Sequence, residues 1–198
     1  LVSTPLVYYA AETLATYAGV MVTGSHNPAE QNGLKIVLDG QALAAEQITS
    51  IAELVQQGNF ATPANGKGLL SRQDVVDGYI DQIAEDVVVA SPMKVVLDCG
   101  NGAASEIAPL LFASLGCEVI PMFAEIDGNF PNRSPDPGPV ENLKALVDEV
   151  KSQQADIGFA FDGDADRVVA VTASGRIVRA DQLLMLFARD VLTRNPGA

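Results

Sequence analysis

"IGFAFDGDADRVVAV", residues 157–171, sets an acidic loop between two short apolar runs. Both runs are continuous and rich in aromatic or β-branched residues, the pattern of strands buried on both faces. Asp162, Asp164 and Asp166 alternate through the loop between them. Carboxylates this close repel one another unless positive charge sits among them, and Gly163 lets the backbone curl so that their oxygens converge. A hard divalent cation answers that demand. All-oxygen ligation by so few groups suits Mg²⁺ better than zinc, which would draw on Cys or His. An EF-hand would need Gly at the sixth and Glu at the twelfth loop position. This chain has Arg167 and Ala173 there. An exposed acidic turn is the plainer alternative, and the buried strands on either side argue against it.

Upstream the alternation continues: VVLD at 95–98, a helix over Ala103–Leu115, EVIPMF at 118–123 and a helix over Val140–Gln153. Strands alternating with helices predict a parallel sheet covered on both faces. Downstream, VVAVTA, a Ser174-Gly175 turn and RIV read as a hairpin. A helix over Asp181–Thr193 then opens a further unit. Nearer the N-terminus, a helix over Pro5–Tyr17 is capped by Thr4 and closed by Gly19. Strands Val20–Val22 and Leu34–Leu38 follow, then an Asp39-Gly40 turn and a helix over Ala44–Gln57 capped by Gly58. "GNFATPANGKG", residues 58–68, has no periodicity and places a boundary near Leu70. A helix over Asp74–Val88 bridges to the next unit. The expected class is α/β, with mixed, mainly parallel sheets sandwiched by helices, in three units: 1–70, 71–176 and a truncated 177–198. With no initial Met and an end just past a helix, the chain reads as a piece of a longer protein.

Composition narrows the partners. Nearly half the residues are apolar, enough to fill a core, so disorder is excluded. A formal charge of -13 with no basic stripe excludes nucleic acid. No apolar run approaches the roughly 20 residues that span a bilayer, and no signal peptide opens the chain. A soluble, cytoplasmic protein is expected. Cys99 and Cys117 read as small buried thiols in a reducing compartment.

A second loop, "TGSHNPAEQNGLK" at 23–35, follows the first short strand. Ser25 could be a turn residue bonding its own backbone. A nucleophile elbow would need Gly two residues later, where Asn27 stands. His26, adjacent in sequence, is poorly placed as the serine's base. Charge joins the two loops: a serine beside a tri-aspartate Mg²⁺ site could carry a phosphoryl group, with Lys35 as proton shuttle or phosphate partner. Alternatives remain open. Gly100-Asn101-Gly102 after VVLDC allows a dinucleotide-binding module, although the fingerprint's third glycine falls at Ser105. A Mg²⁺ phosphatase would use Asp162 as nucleophile.

TGSHNP followed by NGLK, DCGNG and DGDADR resembles the α-D-phosphohexomutase family, most closely its bacterial phosphomannomutase/phosphoglucomutase members. The likeness runs over essentially the whole chain, including "DGNFPNRSPDPGPVENL". It implies phosphohexomutase-type domains and interconversion of hexose 1-phosphate and 6-phosphate through a phosphoserine and a hexose bisphosphate. By that resemblance Ser25, Lys35 and His26 are catalytic, and Asn27 and Arg167 support the phosphoserine and substrate. The same resemblance implies that Ser25, Asp162, Asp164 and Asp166 hold Mg²⁺. The family motif more often has Gly at the position of Ala165. Gly24, where the glucosamine-phosphate member usually has Ala, tilts the substrate toward mannose or glucose phosphate over the phosphoglucosamine alternative. The remaining basic residues form no second cluster for a distal phosphate, so the isolated chain is expected to be inactive.

Overall fold

The computed structural model describes residues 1–28, 30–62, 66 and 68–197. Residues 63–65 and 67, within the stretch expected to form the boundary near Leu70, lie outside the described residues. Helix α1 (Thr4–Thr13) enters from an extended Ser3 with Pro5 in its first turn. It ends at Thr13 rather than Tyr17, because Ala15 takes the left-handed exit at φ 48°. Gly19, expected to close the helix, lies instead inside β1 (Ala18–Val22). A Cβ there would stand 3.2 Å from Ala11 Cβ and 3.4 Å from Val7 Cγ1, so this glycine lets the strand pass close under α1.

Strand β1 pairs antiparallel with β2 (Leu34–Leu38), which sets Met21 opposite Lys35. A two-residue strand β3 (Gln41–Ala42) adds to β2. It is too short to show a period in sequence. Helix α2 (Ala45–Gln56) buries no residue, and α3 (Val76–Asp86) follows.

The second sheet carries the core. Its elements are β4 (Lys94–Asp98), α4 (Ala104–Ser114), β5 (Glu118–Met122), α5 (Lys144–Ser152, preceded by a 3-10 turn over Val140–Leu143), β6 (Ile157–Phe161), β7 (Val168–Thr172) and β8 (Ile177–Val178). Helix α6 (Ala180–Arg194) closes the chain. The spatial order is β5-β4-β6-β7-β8. The mixed α/β class holds, but among the described residues parallel pairing is confined to β5-β4-β6. Strand β7 returns antiparallel to β6, because the loop 162–167 between them is far shorter than the dozen or so residues a parallel crossover needs.

Alternation along β4 divides the core. Val96 packs with Leu146 and Val150 of α5 and with Val171. Val95 and Leu97 pack with Ala104 and Ala108 of α4 on the other face. A third cluster of Leu6, Ile80 and Ile107 joins α1, α3 and α4. Among the described residues no helix is long and apolar enough to cross a membrane.

Two features fix the layers. At Gly158 of β6 a Cβ would meet Val150 Cγ2 at 2.5 Å and Leu146 Cδ1 at 2.8 Å, so α5 lies directly on the strand's backbone. Arg133, from the connection 123–139, donates from Nε to Asp98 Oδ2 at 2.8 Å and from Nη2 to the Phe161 carbonyl at 2.8 Å. The guanidinium thereby joins the carboxyl ends of β4 and β6. Burial pushes the Asp98 carboxyl above its ordinary range, and Arg133 opposes that shift. Gly158→Ala is expected to lower stability by about 1–3 kcal/mol through overpacking, seen as a lower urea midpoint with an unchanged slope. Arg133→Ala strands a buried carboxylate and is expected to cost about 3–5 kcal/mol. A midpoint unmoved by either substitution would contradict the corresponding packing.

Candidate active site

Two loops meet at the carboxyl end of β6. The aspartate loop, 162–167, leaves β6 and turns back into β7. Asp162 has no exposed side-chain surface. Its Oδ1 accepts the backbone N–H groups of Asp166 and Arg167, each at 3.0 Å. To return those amides the loop curls at Ala165, which adopts φ 58° despite its methyl group. That conformation costs an alanine roughly 1–2 kcal/mol relative to glycine.

The serine loop joins β1 to β2 and brings Ser25 over this turn. Ser25 sits at φ 53°, and its backbone N–H donates to Thr23 Oγ1 at 2.8 Å. Its hydroxyl donates to Asp162 Oδ2 at 2.8 Å. Arg167 donates from Nε to the same carboxylate oxygen at 3.1 Å and from Nη2 to Ser25 Oγ at 3.3 Å. The approach is backbone on backbone: a Cβ on Gly163 would stand 2.3 Å from the Ser25 carbonyl oxygen. Behind it, a Cβ on Gly102 would stand 2.6 Å from the Gly163 carbonyl oxygen.

Lys35, at the head of β2, reaches Asp164 Oδ2 at 2.6 Å and Asp166 Oδ2 at 2.5 Å. Burial works against its charge, but the two carboxylates outweigh it and raise the ammonium's pKa. Burial likewise resists ionisation of Asp164, yet hydrogen bonds from Lys35 and Thr4 hold its carboxyl down at about 2. Burial pushes Asp162 above its ordinary range. The Arg167 N–H and the Ser25 hydroxyl oppose that shift, and the charges of Asp164 and Asp166 add to it.

Oxygens of Asp162, Asp164 and Asp166 lie within 4.8 Å of one another. Asp164 Oδ1 is buried and has no partner. An oxygen-only donor set with one orphaned buried acceptor fits a hard cation.

His26 and Asn27 border the same open cleft, of about 430 Å³, with Ser25, Lys35, Asp166 and Arg167. His26 Nδ1 stands 3.8 Å from Asp136 Oδ2, beyond hydrogen-bonding distance. The Asn27 N–H closes the turn onto the Gly24 carbonyl at 2.9 Å. A larger cleft of about 830 Å³ beside α1 is lined by Tyr8, Tyr17, Glu12 and Asp39 but by no cation, a poor setting for a phosphate. The glycines of Gly100-Asn101-Gly102 serve the protein itself. Arg133 fills the space beside Gly100, and the Gly163 backbone fills that beside Gly102. A pyrophosphate has no approach to either.

Sequence reasoning missed Thr4 as a site residue and read it as a helix cap. Thr4 is the first residue of α1 and donates its hydroxyl to Asp164 Oδ2 at 2.7 Å. Arg133 was missed as well, because a lone arginine in a Pro- and Asn-rich stretch carries no periodic signal.

The sequence matches the family model "Phosphoglucomutase/phosphomannomutase, alpha/beta/alpha domain I" over residues 1–62 and the corresponding domain II model over residues 77–175. It is 54% identical over all 198 residues to phosphomannomutase/phosphoglucomutase of Pseudomonas aeruginosa, covering 42% of that protein. It is 45% identical over 193 residues to a probable phosphoglucosamine mutase of Methanothermobacter thermautotrophicus, covering 43% of it. A phosphoglucomutase/phosphomannomutase family protein of Burkholderia thailandensis superposes with TM-score 0.92 at 44% identity, over all of this chain and 44% of the other. The chain thus spans less than half the length of the curated relatives it matches. With both domain models matched in order and the serine loop docked on the aspartate loop, the chain belongs to the phosphoglucomutase/phosphomannomutase family.

Proposed function

We propose that this chain carries the phosphoryl-transfer site of a phosphohexomutase that interconverts the 1- and 6-phosphates of mannose or glucose. The observation that carries the reading is the Ser25 hydroxyl, 2.8 Å from Asp162 Oδ2 and open to the cleft that Lys35 and Arg167 line. Charge supports a phosphoserine there. Three aspartates against Lys35 and Arg167 leave the cluster one charge negative, and a phosphoryl group would add about -1.5 to -2 more. The residues that would hold a compensating cation are Asp162, Asp164 and Asp166 with the phosphorylated Ser25, and Mg²⁺ is the natural choice for all-oxygen ligation. When bound, it would neutralise charge on the transferring phosphoryl.

In the forward step a sugar hydroxyl attacks phosphorus, the P–Oγ bond of Ser25 breaks and a hexose bisphosphate forms. Arg167 Nη2, already at 3.3 Å from Oγ, stabilises the departing oxygen. Lys35 mediates the proton exchange with the sugar hydroxyl, whose proton is lost as the new P–O bond forms while Ser25 Oγ takes up a proton and leaves as the serine hydroxyl. In the resting site Asp164 and Asp166 favour the protonated form of Lys35. After the bisphosphate reorients, its other phosphoryl returns to Ser25. His26 and Asn27 shape the cleft beside the serine and contact the sugar.

Asp162 is a poor phosphatase nucleophile, since both its oxygens are engaged and its side chain has no exposed surface. Mannose and glucose phosphates are preferred to glucosamine phosphate on the higher identity to the Pseudomonas enzyme. The same proposal takes residues 1–70 and 71–176 as successive units, with 177–198 opening a third, and places the protein in the cytoplasm. Both cysteines are free, as a reducing compartment would leave them.

Full-length protein isolated from cells with phosphatase inhibitors is expected to carry phosphate on the peptide containing Ser25, and Ser25→Ala to lose it together with hexose phosphate isomerisation. Phosphate found on Asp162, or undiminished turnover in Ser25→Ala, would overturn the reading.

A further inference from the structure

The two oxygens of Asp164 have different fates. Oδ2 accepts from the Thr4 hydroxyl at 2.7 Å and from Lys35 Nζ at 2.6 Å. Oδ1 is buried and unpartnered. Thr4 also donates its backbone N–H to the Asp164 carbonyl at 2.9 Å, so one residue clips both the main chain and the side chain of the loop's middle aspartate. Thr4 has no exposed surface. It opens α1, whose first N–H groups lack helical partners and carry the positive end of the helix. The helix is itself held, through Leu6, against Ile80 of α3 and Ile107 of α4.

We infer that Thr4 is a positioning residue for the cation-binding loop: by holding Oδ2 it keeps Oδ1 as the oxygen that Asp164 offers to a divalent cation. The inference rests on the cation reading given above. Lys35 cannot do this alone. Its ammonium is shared with Asp166, ends a flexible four-carbon stem, and is needed for proton exchange. A hydroxyl fixed at the start of a packed helix orients the carboxylate without adding charge that a cation would have to displace. Partners of metal ligands act in this way, and their loss typically weakens metal affinity by about 10–100-fold.

The experiment is Mn²⁺ binding to the full-length protein, followed by the loss of the free Mn²⁺ electron paramagnetic resonance signal, with thermal melts run in parallel. Thr4→Val keeps the shape and removes the donor, whereas Thr4→Ser keeps the hydroxyl. The valine variant is expected to bind Mn²⁺ about 10-fold more weakly and the serine variant to stay close to the parent. Should the valine variant not fold, Thr4→Ala removes the same donor with no γ-carbon to misfit and is judged by the same criterion. Parent-like affinity in the variant lacking the hydroxyl overturns the inference and leaves the cation reading standing. Equal weakening in the serine variant also overturns it, by assigning the effect to helix packing. A parent protein that binds no Mn²⁺ overturns the cation reading, and the inference with it.

Discussion

Asp162 is a carboxylate with no exposed side-chain surface, and such a group is tolerated only when donors surround it. It collects them from two places. The amides of Asp166 and Arg167 come from its own loop, and the Ser25 hydroxyl comes from a loop more than a hundred residues away. Supplying the first pair forces the turn at Ala165. Supplying the second brings the Ser25 backbone onto Gly163 and Gly163 onto Gly102, each contact close enough to exclude a Cβ. The serine is held over the aspartate loop because the buried carboxylate needs a donor there.

The arrangement stores strain and unmet demand at one point. Ser25 and Ala165 both sit at positive φ without being glycine, each at a cost of roughly 1–2 kcal/mol. Strain of this kind persists only where the surroundings over-determine it. Here the surroundings are β6, whose backbone is pressed by α5 at Gly158, and the Arg133 guanidinium that ties β6 to β4. Rigid layers therefore hold an irregular site. Buried Asp162 and Asp164 beside exposed Asp166 concentrate negative charge that Lys35 and Arg167 leave incompletely balanced, which is the charge setting that the proposed cation and phosphoryl group require.

Much of this was legible in the sequence. Asp162, Asp164 and Asp166 announced convergent carboxylates because alternate acids after a buried strand have no packing reason to exist. Ser25, Lys35 and Arg167 are indeed brought to the same cleft. What the sequence hid was non-local or non-periodic. Gly19 looked like a helix terminator, but its purpose is contact with Ala11 and Val7 across the α1 interface. Gly100 and Gly102 looked like a phosphate fingerprint, but they make room for Arg133 and Gly163. Thr4 looked like a cap, since its partner lies 160 residues downstream. The extent of parallel pairing was overestimated because apolar content reports burial and not strand direction. Only the short loop between β6 and β7 decided that.

The central claim is that the aspartate cluster holds a divalent cation opposite Ser25, and crystals of the full-length protein grown with Mn²⁺ address it directly. Anomalous scattering at the manganese edge is expected to show one peak bonded to oxygens of Asp162, Asp164 and Asp166, with Ser25 Oγ or its phosphate completing the set. No peak at the cluster, with Lys35 still bridging Asp164 and Asp166 at saturating Mn²⁺, would contradict it.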